Sequence, residues 1–365
     1  AISGTVGTGN IIGVTSAILT GGPGAVLWMW ISAFFGMVTN YSENVLGLYY
    51  RKKEKDGSFS GGAFYYIANG LKQRWLGMLA AIFCLLAAVG MSGVQTNKIT
   101  GSYTSVLGND SAAVKLIIGG IVAFFAAIVI IGGIKRIGRI ASMLVPFMSL
   151  LFIAMAFVII GKNYTAIPET FRLIFTSAFS SKAVAGGVGG FAFSQIIKKG
   201  LARGVFSNEA GLGSSVIAHS ASETREPVKQ GLWGIFEVFF DTFVICTLTA
   251  LVILTTNIGS GAYENGSFFG AENAAGEFVG ASDSATALSA FSSNLGMFGT
   301  VAFLIILPLF AFTTVLAWSY YGEKAVDFCF RHKPENKRKI PVLIFKIIFI
   351  LLIVFSSLIG SDLIW

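Results

Sequence analysis

Charge is what this 365-residue chain has least of. Asp, Glu, Lys and Arg make up 12% of it, roughly half the load of an ordinary soluble domain. Hydrophobic residues make up 54%, and the mean hydropathy is +0.75, which excludes a water-soluble globule. Cysteine is nearly missing: Cys84, Cys246 and Cys329 lie in or beside apolar segments without Cys-x-x-Cys spacing, so neither a disulfide framework nor a zinc site is indicated. The two histidines, His219 and His332, read as loop residues, and no Gly-x-Ser-x-Gly elbow accompanies either. An intramembrane hydrolase is therefore the weakest function class. Gly211-Leu-Gly-Ser-Ser215 lacks the lysine of a phosphate-binding loop.

What is there instead is a series of apolar runs near the ~20 residues needed to cross a bilayer. The chain reads as an all-α, polytopic (multi-pass) protein of the cell membrane. Spans are expected at 25–50, 76–99, 112–132, 140–161 with Pro146 as a possible kink, 232–254, 295–321 and 341–359. Trp28, Trp30, Tyr49 and Tyr50 mark the interfaces of the first of these. The 26 Lys and Arg exceed the 18 Asp and Glu, but they sit in short loops, so the excess is a topology signal rather than a nucleic-acid footprint. Residues 51–55, 135–139, 198–203 and 331–339 are expected on the cytoplasmic face, and Asp110, Glu169, Glu264, Glu272, Glu277 and Asp283 on the other.

Two segments break the apolar pattern. Gly4, Gly7 and Gly9 interrupt residues 1–12, and Val184-Ala-Gly-Gly-Val-Gly-Gly-Phe-Ala-Phe-Ser194 interrupts what reads as the sixth crossing, with 200–230 a long loop after it. In lipid, open backbone survives only where protein buries it or a wet cavity lines it, so each break is a candidate site. Secondary transporters place such breaks in the first helix of each of two inverted repeats. On that pattern, residues 1–161 form the first repeat and 162–365 the second, although no letter-by-letter repeat is visible. Both ends read as cut, so the chain is expected to be a fragment.

The segment Gly21-Gly-Pro-Gly-Ala-Val-Leu-Trp-Met-Trp-Ile-Ser-Ala-Phe-Phe-Gly36 resembles the signature of the alanine or glycine:cation symporter family, with Leu27 where Phe is expected. Gly4-Thr-Val-Gly-Thr-Gly-Asn10, Arg203-Gly-Val-Phe-Ser-Asn-Glu-Ala-Gly211 and Pro308-Leu-Phe-Ala-Phe-Thr-Thr-Val-Leu-Ala-Trp318 are similar to that family as well. The resemblance implies a LeuT-type inverted-repeat helix bundle and sodium-coupled symport of a small neutral amino acid, alanine or glycine. It implies that the amides of Thr8 and Gly9 meet the substrate carboxylate. It also implies that sodium, the co-transported ion, takes oxygens of Ser3, Val6, Phe310, Thr313 and Thr314, a ligand type that suits a hard cation.

The substrate ammonium then needs acceptors, for which loosened carbonyls from Gly186 to Gly190, Gly187 and Gly190 among them, and the side chains of Asn10 and Gln95 are candidates. Phe191, Phe193 and Trp318 are candidate walls. Glu43, Glu237 and Asp241 are carboxylates within spans, which default to functional hypotheses. They are assigned gating or structural roles, solvated at the cytoplasmic side or paired with Lys199 or Arg203, and Glu209 is expected to partner Arg203 at an inner gate. A proton-coupled amino-acid transporter and a passive channel are the alternatives.

Overall fold

Apolar segments of this length satisfy their backbone groups internally, and the chain is built almost wholly of helices. A computed structural model describes residues 1–55, 57–179, 187–261, 270–272, 278–280 and 282–359; at 187–193, 270–272, 278–280 and 335–336 it describes the backbone alone. The helices are α1 (Ile2–Thr5), α2 (Ile12–Gly21), α3 (Ala25–Tyr50), α4 (Ala63–Gly70), α5 (Arg74–Leu107), α6 (Ala112–Ile131), α7 (Gly133–Lys162) and α8 (Ile167–Ala178). They continue as α9 (Gly187–Asn208), α10 (Ser215–Ser220), α11 (Pro227–Val238), α12 (Thr247–Gly259), α13 (Asp283–Cys329) and α14 (Glu335–Ser356). Two short antiparallel pairs, β1 (Lys52–Lys53) with β2 (Phe59–Ser60) and β3 (Gly270–Glu272) with β4 (Phe278–Gly280), are the strands among the described residues.

Among the described residues, six helices are long and apolar enough to cross a membrane. At 1.5 Å rise per residue, the 47 residues of α13 exceed any bilayer. The helix bends at Gly296 (φ 60°, ψ −143°), where the eighth span is expected to begin. Large apolar side chains such as Phe34, Phe35, Phe124, Phe147, Phe157 and Leu351 point outward, as a surface facing acyl chains requires. Among the described residues the interior holds, beside a small apolar cluster of Ala33, Ala210 and Val238, two large ones. One joins Ile12, Met29, Phe152, Ile253, Phe291 and Phe310; the other joins Phe64, Trp318, Tyr321 and Phe349.

Small residues let the helices approach. A Cβ at Gly200 would lie 2.5 Å from the Ala25 carbonyl oxygen, and one at Gly204 2.8 Å from Ser32 Oγ, which seats α9 against α3. Gly231 and Gly234 do the same for α11, against Tyr41 and Asn44.

The two ends of the bundle carry different charge. At one, Arg51 donates to the carbonyls of Ser220 (3.1 Å), Ser222 and Thr224 (2.5 Å), and Arg331 pairs with Glu54 at 2.9 Å. With Lys52, Lys53, Lys55 and the basic 331–339 stretch, this is the cytoplasmic end. At the other, Trp28 Nε1 donates to Ala178 O (3.3 Å), Asn163 to Asn294 (2.7 Å), and Lys98 pairs with Asp283 (2.9 Å).

The expected placement of 198–203 is corrected here. Lys199 Cβ lies 3.2 Å from where a Cβ on Gly21 would stand, beside the turn that packs on α8, so Lys199 and Arg203 belong to the outer half. The positive-inside rule counts loops, whereas these cations sit within a helix.

Candidate functional site

The first helix opens between α1 and α2. Val6 leaves the helical region (φ −78°, ψ 96°) and Gly7 is extended. The freed groups find side chains. Gly7 N–H donates to Asn10 Oδ1 (2.8 Å), while Thr8 N–H and Oγ1 both donate to Gln95 Oε1 on α5 (3.0 and 2.7 Å). No acceptor for the Gly9 N–H occurs among the described residues. The three glycines are here for close approach. Added Cβ atoms would stand 2.5 Å from Tyr321 OH at Gly4, 2.5 Å from Thr314 Oγ1 at Gly7 and 2.7 Å from Arg203 Nη2 at Gly9.

A second helix opens too, but not where the glycine run places it. Residues 187–190 begin a continuous helix that reaches Asn208, so Gly187 and Gly190 do not offer loosened carbonyls: in a first turn it is the N–H groups that lack partners. Gly186 lies outside the described residues, as do the side chains of Phe191 and Phe193.

The opening falls at 209–214, between α9 and α10, with Glu209 at φ 57°, Gly211 at φ 88° and Gly213 at φ 69°. The left-handed region disfavours a glutamate. Glu209 is held there, fully buried, by Trp318 Nε1 to Oε1 (2.9 Å) and Ser214 Oγ to Oε2 (2.6 Å). The expected cytoplasmic loop at 200–230 is thus the end of one half-helix, the opening, the other half-helix and the start of α11. No ion pair joins Arg203 to Glu209 among the described residues; Arg203 Cζ stacks 4.8 Å from the Phe206 ring centroid instead.

The oxygens expected around sodium are drawn together, with one exception. Thr314 Oγ1 lies 3.4 Å from Val6 O and 3.1 Å from Phe310 O, and Thr313 Oγ1 3.0 Å from Phe310 O. Both threonines are buried. Ser3 lines an inner cavity of ≈530 Å³ with His219, Glu237 and Tyr321, and no contact joins it to the other four among the described residues. Two neutral hydroxyls and two carbonyls from two helices thus lie close together, oxygens of the type that a hard cation takes.

Other placements differ from expectation. Asn10 and Gln95 meet at the break, but each has its carbonyl oxygen already bonded, by Gly7 and Thr8; the free end of Gln95 is its NH₂, a donor. With two bonds already accepted, Gln95 is a poor acceptor for an ammonium, whereas the Asn10 oxygen accepts one. Trp318 is 2% exposed and packs on Tyr321 (5.3 Å between centroids), and it does not line the outer cavity. That cavity, ≈410 Å³, is lined by Thr8, Gly9, Gly13, Lys98, Lys199, Arg203 and Asp283, among others.

The span carboxylates pair with neither Lys199 nor Arg203. Glu43 accepts from Gly211 N–H (3.2 Å), and Asp241 from Asn10 Nδ2 (2.5 Å) and Thr242 Oγ1 (3.1 Å). Glu237 bonds His219 Nε2 (2.7 Å) and Thr5 Oγ1 (3.4 Å). His219 is buried rather than exposed in a loop.

Sequence reasoning missed Thr5, Asn208 and Thr242. Asn208 Nδ2 donates to Thr242 Oγ1 (3.2 Å), joining the second opening to a π-helical stretch, Phe239–Cys246, that separates α11 from α12. Such stretches often mark functional sites. No apolar periodicity reports them.

Two opened helices meeting in the middle of a membrane bundle, between an outer and an inner cavity, define a secondary transporter. The chain belongs to the sodium:alanine symporter family, which matches residues 1–365. Membership makes it a multi-pass membrane protein for symport of amino acids with sodium, not an enzyme. It is 39% identical over 370 residues to the sodium/alanine symporter AgcS of Methanococcus maripaludis, covering 100% of this chain and 75% of that protein. It is 36% identical over 361 residues to a probable sodium/glutamine symporter, GlnT, of Bacillus subtilis (99% and 69%). Among solved structures it is similar to MhsT in complex with L-phenylalanine, with a TM-score of 0.62 at 16% identity over 98% of this chain and 78% of that one. The fold is the LeuT type.

Proposed function

We propose that this protein carries a small neutral amino acid, alanine or glycine, into the cell together with sodium. The amino acid sits over the first opening, its carboxylate on the Gly9 N–H, with the free NH₂ of Gln95 nearby as a further donor. Sodium sits between Val6 O, Phe310 O and the hydroxyls of Thr313 and Thr314. The observation that carries the reading is the 3.4 Å approach of Thr314 Oγ1 to Val6 O, because Val6 begins the opened stretch that ends at the substrate amide. A cation that fixes the Val6 carbonyl therefore orders the backbone that binds the amino acid, and each ligand raises the other's affinity. Residues 1–161 and 162–365 act as the two repeats whose helices rock around the site.

The substrate is assigned as alanine or glycine because the opening is closely walled, with Tyr321, Thr314 and Arg203 each within 3 Å of a Cβ added to Gly4, Gly7 or Gly9. The test is uptake of labelled alanine into proteoliposomes with and without an inward sodium gradient, with glycine and glutamine as competitors. Accumulation above equilibrium only with the gradient, displaced by glycine and not by glutamine, is the expected result. Equal uptake in both conditions overturns sodium coupling, and displacement by glutamine alone overturns the substrate assignment.

A further inference from the structure

Among the described residues, the outer cavity is lined by more positive charge than negative. Of the charged groups lining it, Lys98 and Asp283 pair with each other at 2.9 Å, which leaves Lys199 and Arg203. Arg203 is the closer to the opened backbone. Its guanidinium lies along a groove made by two glycines of the first helix: a Cβ on Gly13 would stand 1.6 Å from Cζ, and one on Gly9 2.7 Å from Nη2.

Its Nε is buried without an acceptor, and no hydrogen bond or ion pair to Arg203 occurs among the described residues. The carboxylates within electrostatic reach, Asp241 and Asp283, are bonded to Asn10 and Lys98. A half-buried guanidinium with free donors, beside a Gly9 N–H that also lacks an acceptor among the described residues, puts two sets of donors side by side. A planar fork of this kind matches a carboxylate and holds it through charge-assisted bonds.

We infer that Arg203 is the second hold on the α-carboxylate of the substrate, closing over it from the outer side while the Gly9 amide holds it from below. This deepens the reading proposed above and rests on it. The site then takes α-amino acids with a free, ionised carboxylate and rejects the corresponding amides, whose terminal NH₂ and net positive charge both face Arg203. Arg203 is thereby a specificity-determining residue of the outer half, and not the inner-gate partner of Glu209.

The test is binding of L-alanine and of L-alaninamide to the purified chain in nanodiscs with sodium present, read as ligand-induced thermal shift. The unsubstituted protein is expected to bind alanine and to bind alaninamide far more weakly. Arg203→Gln should weaken alanine about 10- to 100-fold, the range for hydrogen bonds to charged groups, and shrink the preference for the acid over the amide by a similar factor. Arg203→Lys, which keeps the charge and loses the fork, should retain part of the preference. Gly13→Ala leaves the arginine in the sequence but displaces its guanidinium, and should reproduce the loss if Arg203→Gln does not fold. Arg203→Gln or Gly13→Ala with the original ratio of alanine to alaninamide affinity overturns the assignment of Arg203 alone. An unsubstituted protein that binds neither ligand overturns the amino-acid reading as well, so the two failures are distinct.

Discussion

Asn10 Nδ2 lies 2.5 Å from Asp241 Oδ1, a bond that ties the opened turn of the first helix to the π-helical stretch of the seventh. Asn10 also accepts from the Gly7 N–H, so one amide side chain bridges a loose backbone donor and a buried carboxylate. Both residues have no exposed surface. Asn10→Ala removes both contacts and leaves Asp241 with Thr242 and Ser207 as side-chain donors. A buried polar group left without its partner costs about 2 kcal/mol, so the variant should melt below the unsubstituted protein in detergent. Asn10→Ala combined with Asp241→Asn should recover part of the loss, because a neutral amide is less costly to bury without a partner than a carboxylate. Identical melting of Asn10→Ala and the unsubstituted protein would show that the bridge contributes nothing to the fold.

Thr313 and Thr314 each bond Phe310 O on their own helix, but Thr314 alone also reaches the first helix, at Val6 O. A side chain that only back-bonds to its helix is replaceable at small cost. One that bridges to a cation ligand is not. Thr314→Ala should therefore raise the sodium concentration for half-maximal uptake by roughly 10-fold, the equivalent of about 1.4 kcal/mol, and Thr313→Ala by less. Selectivity among amino acids should hold in both. Normal sodium activation in Thr314→Ala removes it from the ion site.

The cytoplasmic end has its own clasp. Arg331 pairs with Glu54 at 2.9 Å and also bonds Tyr65 OH. Burial raises the Glu54 carboxyl, but the charge and hydrogen bond of Arg331, with help from Ser60 and Lys324, outweigh it and hold Glu54 below its ordinary value. A carboxyl lowered in the folded state stabilises the protein above its unfolded-state value. That contribution is lost as pH falls through the lower folded-state value. Acidification below the usual carboxylate range should thus destabilise the protein less steeply in Glu54→Gln, which has no such charge to lose. Melting curves at neutral and acid pH on both proteins check this; parallel curves contradict it.

The first opening was legible because Gly4, Gly7 and Gly9 stand inside an otherwise apolar run, where nothing but a break or a tight packing face explains them. The second was misplaced for a physical reason. The run at 184–194 has more glycine, yet its described part, from Gly187 on, is helical, and the opening that the described residues show lies at 209–214 among Ser207, Asn208, Ser214 and Ser215. Hydropathy cannot tell a polar turn buried against other helices from a loop in water, since the letters are the same. The residues that decide are partners distant in sequence, such as Trp318 for Glu209 and Thr242 for Asn208. Arg203 was assigned to the wrong end for a related reason: its charge faces a wet cavity within the bundle.

Trp318 supplies the sharpest case of such a partner. Its indole N–H donates to Glu209 Oε1 at 2.9 Å, and Ser214 Oγ to the other oxygen at 2.6 Å, so a glutamate in a left-handed backbone conformation is pinned at both carboxylate oxygens. Trp318→Phe keeps a ring for Tyr321 to pack on and deletes the donor. The loss should be about 1–3 kcal/mol, the cost of leaving a buried group without its hydrogen-bond partner, seen as a lower melting temperature. If the damage comes from the unpaired carboxylate, Glu209→Gln should hurt the unsubstituted protein but hurt Trp318→Phe less, because the neutral amide suffers less from the missing donor. Coupling of that sign in a double-mutant cycle is what contact between the two residues requires. Additive losses instead would mean that Trp318 serves the opening by its ring alone, and that the backbone at Glu209 is held by Ser214 and the turn itself.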